Sequence, residues 1–168
     1  MPLFIWFFRQ HGTTWKQLRN GAFVNTIVSY ISPPYCHVEL AFDDGHAVTV
    51  LKNNTVSMRK REFNTLYYTC LKLHVTKEVA VHAKAEAMER IDEKFSLFPP
   101  CVYCSKLVWE ILLESKAVPS SEKNAWNNSY FISPSELFLR LLSLNATEID
   151  CFDCPTPLLL NFKCEFQT

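Results

Sequence analysis

A cysteine and a histidine in this chain are placed where covalent acyl chemistry is expected. Cys104 opens the amphipathic segment YCSKLVWEIL just after a break in the pattern, so it stands at a predicted helix N-terminus. Backbone N–H groups without partners gather there and favour a thiolate, the nucleophilic form of cysteine. His37 opens the alternating segment CHVELAF, and a neutral imidazole is the usual base for a thiol proton. These two residues are the candidate nucleophile and base.

A Cys–His centre also needs a third polar group that holds the imidazole in the right tautomer. Glu39 shares one face of the predicted strand with His37, because successive side chains alternate between faces. Thr49 lies on the strand that follows the next turn. Either Glu39 or Thr49 is therefore the residue that orients His37.

The turn DDG, at positions 43–45, decides which residues face each other across this hairpin. A three-residue loop with a left-handed Gly45 puts Thr49 opposite Glu39, whereas a two-residue turn puts Val50 there. We expect the three-residue loop, because Asp-Asp-Gly suits a type I turn followed by a glycine bulge.

Each candidate also has a purely structural interpretation. Cysteine is among the most buried residue types, and most cysteines on an apolar helix face belong to the core. Glu39 then becomes a surface carboxylate on a half-exposed strand. For His46, which follows the turn, we favour the structural interpretation, a solvated turn residue.

Two cysteine doublets, Cys101-x-x-Cys104 and Cys151-x-x-Cys154, offer a different chemistry, because four such thiolates can bind zinc tetrahedrally. Their separation is much longer than the usual ~15–20 residues. The first doublet also straddles a helix start instead of a glycine-containing knuckle. We therefore predict a centre without metal or other cofactor, and a zinc-stabilised adaptor is the alternative.

The composition fits one globular domain over residues 1–168. Hydrophobic residues make up 48% of the chain, which is enough for a substantial core. The 17 basic and 17 acidic residues cancel, so electrostatics favours neither a nucleic-acid partner nor an anionic membrane surface.

The sequence also predicts no transmembrane segment and a cytoplasmic location. The opening letters MPLFIWFF lack a basic region and meet Arg9 too early for a signal peptide. No apolar run approaches the ~20 residues of a membrane span. Seven cysteines are an odd count, and without a signal peptide they indicate reduced thiols instead of a disulfide framework.

The elements that must position these residues are strands first and helices afterwards. Apolar or alternating runs predict strands at MPLFIWFF, CHVELAF, HAVTVL, NTVSM and LYYTCLKLHV. From Lys77, apolar residues recur at helical spacing: Ala80, Ala83, Ala87, Ile91 and Phe95. A second helix begins at Cys104. This order predicts an α+β domain with an antiparallel sheet packed against helices.

A third helix is predicted at SPSE, where Ser133 caps, Pro134 takes the first position and Glu136 completes a capping box. Its buried side is expected to consist of Leu137, Phe138, Leu141 and Leu142. The tail from Thr147 is rich in Cys, Pro and Phe and is assigned to no element.

The segment YCHVELAFDDGHAVTV, followed much later by YCSKLVWEIL, resembles the circularly permuted branch of the NlpC-type papain-like thiol hydrolases. That branch includes bacterial YiiX/YaeF-like proteins, poxviral relatives and, more remotely, lecithin:retinol acyltransferase. Its pattern is a His that opens a strand, a hairpin, a polar residue on the next strand and a later helix that begins with Cys. FISPSEL resembles a later segment of the YiiX-like members, so the resemblance spans roughly residues 30 to 140.

The resemblance implies a permuted papain-like fold in which His37 is the base and Cys104 the nucleophile. Two positions depart from the family pattern. The family usually has Gly where this chain has Glu39, and its third polar residue, often Glu or His, corresponds to Thr49.

The function implied is that of a cysteine hydrolase, an amidase, peptidase, acyl hydrolase or acyltransferase that works through a covalent acyl-enzyme. The partner is then a peptide, peptidoglycan-like or lipid acyl substrate, and no cofactor is needed. Two alternatives remain, namely a catalytically silent binding or viral host-interaction module on the same fold, and the zinc-stabilised adaptor.

Overall fold

The computed structural model describes residues 1–9, 34–50, 55–63, 67–94, 103–123 and 132–149. Within these ranges the first elements are the strands β1 (Pro2–Arg9), β2 (Tyr35–Ala41), β3 (His46–Val50), β4 (Val56–Lys60) and β5 (Tyr68–His74). The described helices α1 (Lys77–Glu89), α2 (Cys104–Glu114) and α3 (Pro134–Ser143) come next, and then β6 (Thr147–Ile149). The predicted α+β class and the five predicted strands are confirmed. The short β6 was missed, because its largely exposed residues carry no apolar alternation.

The strands form one antiparallel sheet in the order β4-β3-β2-β1-β5-β6. The apolar opening strand β1 lies inside it, between β2 and β5, and its middle residues are buried on both faces. This position explains why β1 reads as a nearly continuous apolar run. Among the helices of the described ranges, none combines the length and hydropathy that a bilayer crossing needs.

The two faces of the sheet have different neighbours. On one face a large apolar core joins the strands to the three helices. β2 contributes Val38 and Leu40 to it, and Phe42 follows directly after the strand. A smaller cluster covers the other face, namely Phe4, Trp6, Ala41, Ala47, Phe63 and Cys70. Because side chains alternate along β2, His37 and Glu39 belong to this second face.

Helix α1 ends earlier than its sequence pattern predicted. Ala80, Ala83 and Ala87 are buried as expected, but the helix stops at Glu89 and Ile91 is 39% exposed. Hydrogen bonds to β4 end the helix: the Asp92 N–H donates to the Val56 carbonyl, and the Glu93 carbonyl accepts from the Val56 N–H. Asp92 has a positive φ of 70°. Phe95 lies outside the described residues.

Helix α3 begins as predicted. The Ser133 hydroxyl accepts from the Glu136 N–H at 3.2 Å, and the Glu136 carboxylate accepts from the Ser133 N–H at 2.9 Å. The predicted capping box is therefore confirmed. Leu142, expected on the buried side, is instead 37% exposed. The Ser135 hydroxyl accepts from the Tyr35 N–H at 3.1 Å, which joins the start of α3 to the start of β2.

The β2–β3 hairpin has the predicted three-residue loop. The Phe42 N–H donates to the His46 carbonyl at 2.8 Å, and Gly45, with φ 81°, donates to the Phe42 carbonyl at 3.1 Å. Leu40 pairs with Val48 in the same register. Continued by one residue, this register puts Glu39 opposite Thr49.

Gly45 supplies a left-handed conformation that L side chains adopt at a cost, so Gly45→Ala is expected to destabilise the fold by about 1 kcal/mol. A Cβ added at this position meets no atom within 4 Å, so the loss comes from the backbone alone. Gly45→Asn is the matched control and is expected to lose less, since Asn tolerates this conformation. Urea unfolding measures both. Equal stability of the Ala variant and the parent protein would contradict this account of the loop.

Candidate active site

The N-terminus of α2 meets the start of β2, and there the structure brings Cys104 and His37 together. Their side chains are hydrogen-bonded to each other. The backbone N–H groups of Val38 and Ser105 also donate to the Cys104 sulfur. The thiol is half-buried and the His37 side chain is 17% exposed, so both are shielded from bulk water without being sealed off.

The two residues that flank Cys104 anchor the first turn of α2. Tyr103 has an extended backbone, with φ −128° and ψ 165°, and turns the chain into the helix. Its hydroxyl accepts from the Ile132 N–H at 2.6 Å, and the Ser105 hydroxyl donates to the Ile132 carbonyl. The position of the thiol is therefore tied to the segment that leads into α3.

A β-bulge just before His37 changes which side chains share a face. Phe8 pairs with His37, but Arg9 pairs with Tyr35, so Cys36 is the extra residue. In a regular strand Tyr35 and His37 share a face. The bulge instead puts Tyr35 into the helix-side core, away from the face of His37. Bulges commonly re-aim side chains beside active sites in this way.

The other side of the imidazole faces β3 and the middle of β2. His37 Nε2 lies 3.2 Å from the Thr49 hydroxyl and 3.7 Å from Glu39 Oε1. Only the shorter of these distances is that of a hydrogen bond. Nε2 therefore has the Thr49 hydroxyl as its hydrogen-bond partner. The structure thus gathers all four candidate residues into one cluster.

Glu39 is the charged residue at the centre of this cluster. It is 1% exposed, so its interpretation as a surface carboxylate is wrong. Arg61 binds it through two hydrogen bonds, Nε to Oε2 at 3.0 Å and Nη2 to Oε1 at 2.6 Å. The Tyr68 hydroxyl donates to Oε1 at 3.3 Å. A buried carboxylate needs such partners, because burial of an unpaired charge costs several kcal/mol.

Sequence reasoning missed Arg61 and Tyr68. Arg61 belongs to the basic run RKR at the end of β4, where no pattern indicates which cation turns inward. Tyr68 lies in the aromatic start of β5 and looks like a core residue. Both side chains reach Glu39 because β5 pairs with β1 and β4 pairs with β3, and these pairings are seen only in the folded sheet.

His46, the other histidine of this hairpin, plays no part in the cluster. His46 Nδ1 lies 3.0 Å from the Asp44 carboxylate, and the His46 side chain is 37% exposed. Its interpretation as a solvated turn residue is confirmed.

The surroundings of Cys104 favour the thiolate. Burial by itself raises the pKa of the thiol, but the neighbouring His37 and its hydrogen bond lower the pKa by more. The N–H groups of Val38 and Ser105 lower it further. The pKa of Cys104 is therefore lower than that of an ordinary thiol.

The surroundings of His37 favour the imidazolium. Burial by itself lowers the pKa of His37, but Cys104 and then Glu39 raise it by more, against an opposing effect of Arg61. The pKa of His37 is therefore raised. The opposite shifts of the two groups have one cause, which is the attraction between thiolate and imidazolium.

The zinc hypothesis depends largely on residues that the structure does not describe. Cys101, Cys151 and Cys154 all lie outside the described ranges. Within those ranges, no group of three or more His, Cys, Asp or Glu side chains is arranged to hold a metal ion. A zinc-stabilised adaptor therefore stays a prediction from the cysteine spacing.

Comparison of the chain with protein-family models, with curated proteins and with solved structures gives no match.

Iodoacetamide should alkylate Cys104 at pH values where an ordinary cysteine is still protonated, because it reacts with the thiolate. The charge of His37 lowers the thiol pKa, so His37→Gln should move the inflection of the alkylation rate to higher pH. Mass spectrometry of the digested protein measures labelling at each pH. In denaturant, where the pair is separated, both proteins should titrate like free cysteine. Identical folded-state profiles would contradict the pairing.

Proposed function

We propose that this protein is a cysteine hydrolase or acyltransferase in which Cys104 is the nucleophile and His37 the base. The observation that carries the proposal is the hydrogen-bonded Cys104–His37 pair at a helix N-terminus, with Thr49 on the other side of the imidazole. This is the arrangement of nucleophile, base and orienting group that covalent acyl transfer requires.

We also propose that the fold is the permuted papain-like fold of the NlpC-type hydrolases. Support comes from the chain order, in which the strand with the base precedes the helix with the nucleophile. It also comes from the packing of an antiparallel sheet against α2 and α3. The sequence segments around His37 and Cys104 resemble that family.

In the proposed mechanism, the Cys104 sulfur attacks the carbonyl carbon of an amide, ester or thioester. The proton of the thiol resides on His37, and the backbone N–H of Cys104 helps to stabilise the oxyanion. When the tetrahedral intermediate collapses, the bond to the leaving group breaks and that group takes the proton from His37. The product of this half is an acyl thioester on Cys104.

In the second half, water or another acceptor attacks the thioester and transfers a proton to His37. The acyl group leaves, and Cys104 regains its thiolate beside the imidazolium. Thr49 accepts the Nε2–H of His37, which keeps Nδ1 directed at the sulfur. No step requires a metal or cofactor. The substrate class proposed is an acyl group on a peptide, a peptidoglycan-like chain or a lipid.

Cys104→Ser should leave the melting temperature nearly unchanged, since the volume change is small. Hydrolysis of activated thioesters and esters should fall by ~10³-fold or more, because the hydroxyl lacks the reactivity of the thiolate. Cys101→Ser is the matched control and should retain activity. If both variants lose activity and mass spectrometry finds zinc bound to the parent protein, the proposed enzyme activity is overturned in favour of the zinc-stabilised adaptor. Uniform, slow alkylation of all cysteines would favour the silent binding module.

Thr49→Val removes the acceptor for His37 Nε2 while it preserves shape, so kcat should fall by ~10-fold. Thr49→Ser keeps the hydroxyl and should retain most of the activity. Thr49 is 3% exposed, so a thermal melt must accompany both variants. Equal activity of the Val and Ser variants would show that Thr49 does not orient the base.

A further inference from the structure

One oxygen of Glu39 lies between two cationic groups. Oε1 is 2.6 Å from Arg61 Nη2 and 3.7 Å from His37 Nε2. The other oxygen is bound by Arg61 Nε at 3.0 Å. Glu39 therefore cannot rotate toward the imidazole without the loss of a charge-assisted hydrogen bond to Arg61.

Arg61 is itself held from several directions. Its backbone N–H donates to the Gly45 carbonyl at 3.1 Å, and its guanidinium lies over the Phe63 ring, 5.5 Å from the centroid. Phe63 stacks on Trp6 with centroids 4.5 Å apart, and Arg61 Nη2 also lies 3.3 Å from the Tyr68 hydroxyl. The cation that binds Glu39 thus has a fixed position and orientation.

Without this cation, the carboxylate would no longer be held at its distance from the His37 ring. It could draw the imidazole toward itself and away from Thr49, because an ionised acceptor forms the stronger hydrogen bond. The direction of the His37 ring would then change.

We infer that Arg61 is a positioning residue of this site, which holds the Glu39 carboxylate in a fixed place beside His37. Thr49 is then the direct acceptor of Nε2–H, and Glu39 acts only through its charge. The role of the third residue is therefore shared: Thr49 binds the imidazole, and Glu39 interacts with its charge. Because Arg61 fixes Glu39, Arg61 helps to set the pH range in which His37 is protonated. The effect on catalysis rests on the proposed function, whereas the effect on His37 does not.

Charged and titratable groups on three neighbouring parts of the structure act on His37. They are Glu39 on β2, Cys104 on α2 and Arg61 after β4. On β3 the neutral Thr49 contacts the ring, whereas Tyr68 on β5 contacts Glu39 and Arg61. Cys104 and Glu39 raise the pKa of His37, and Arg61 opposes them. Removal of the Arg61 charge should therefore raise the pKa of His37.

The test is an NMR titration of the His37 ring in Cys104→Ala protein, where the thiol no longer titrates. Arg61→Gln should move the midpoint to higher pH, and Glu39→Gln should move it to lower pH. Arg59→Gln is the matched control, since it removes the same charge from an exposed position on β4 and should cause no shift. An Arg61→Gln titration that coincides with that of Arg59→Gln would overturn the inference.

Arg61→Lys keeps the inference testable if Arg61→Gln does not fold. Lysine preserves the charge but cannot form both hydrogen bonds to Glu39. The midpoint of the His37 titration should therefore stay close to that of the parent. In protein that retains Cys104, turnover should fall by ~10-fold. A Lys variant with parental turnover would show that the grip has no positioning role. A shifted His37 midpoint in the Cys104→Ala background, together with no selective alkylation of Cys104 in the parent protein, would refute the proposed enzyme activity and leave the coupling of Arg61 to His37 intact.

Discussion

Burial of the Glu39 carboxylate is the constraint on which the arrangement around the site depends. A carboxylate that is 1% exposed needs fixed charges and hydrogen bonds in place of its lost hydration. Arg61 supplies that replacement, and it reaches Glu39 because β4 ends beside the hairpin, where the Gly45 carbonyl binds the Arg61 N–H. The aromatic stack below the guanidinium keeps the pair in place. The hairpin loop and the strand order thus place Arg61, and Arg61 in turn fixes the charge next to His37.

The same coupling decides the behaviour of the Cys–His pair. Cys104 and His37 stabilise each other in their charged forms, and Glu39 adds to the stability of the imidazolium. Arg61 limits that addition. The resulting balance favours the ion pair, in which His37 carries the proton and Cys104 is a thiolate. A fully exposed carboxylate would provide less charge stabilisation, because solvent screens it.

The sequence was most informative where a local pattern has a single physical outcome. The DDG turn, the alternation of CHVELAF and the capping box at Ser133 each depend on neighbours a few residues away, and the structure confirms all three. The predicted end of α1 was wrong, because hydrogen bonds to β4 outweigh the helical spacing that continues through Ile91. Local periodicity contains no information about which distant strand will compete for a backbone group.

By itself, the sequence determined the residue types that can do chemistry and the faces on which His37 and Glu39 lie. It also favoured, between two hairpin registers, the one that puts Thr49 opposite Glu39. Only the tertiary structure decided that α2 starts beside β2, that a bulge at Cys36 separates Tyr35 from the face of His37, and that Arg61 binds Glu39. The reason is the distance along the chain over which each interaction acts. Alternation and turn geometry act over a few residues, whereas a buried ion pair forms between side chains that only the completed sheet brings together.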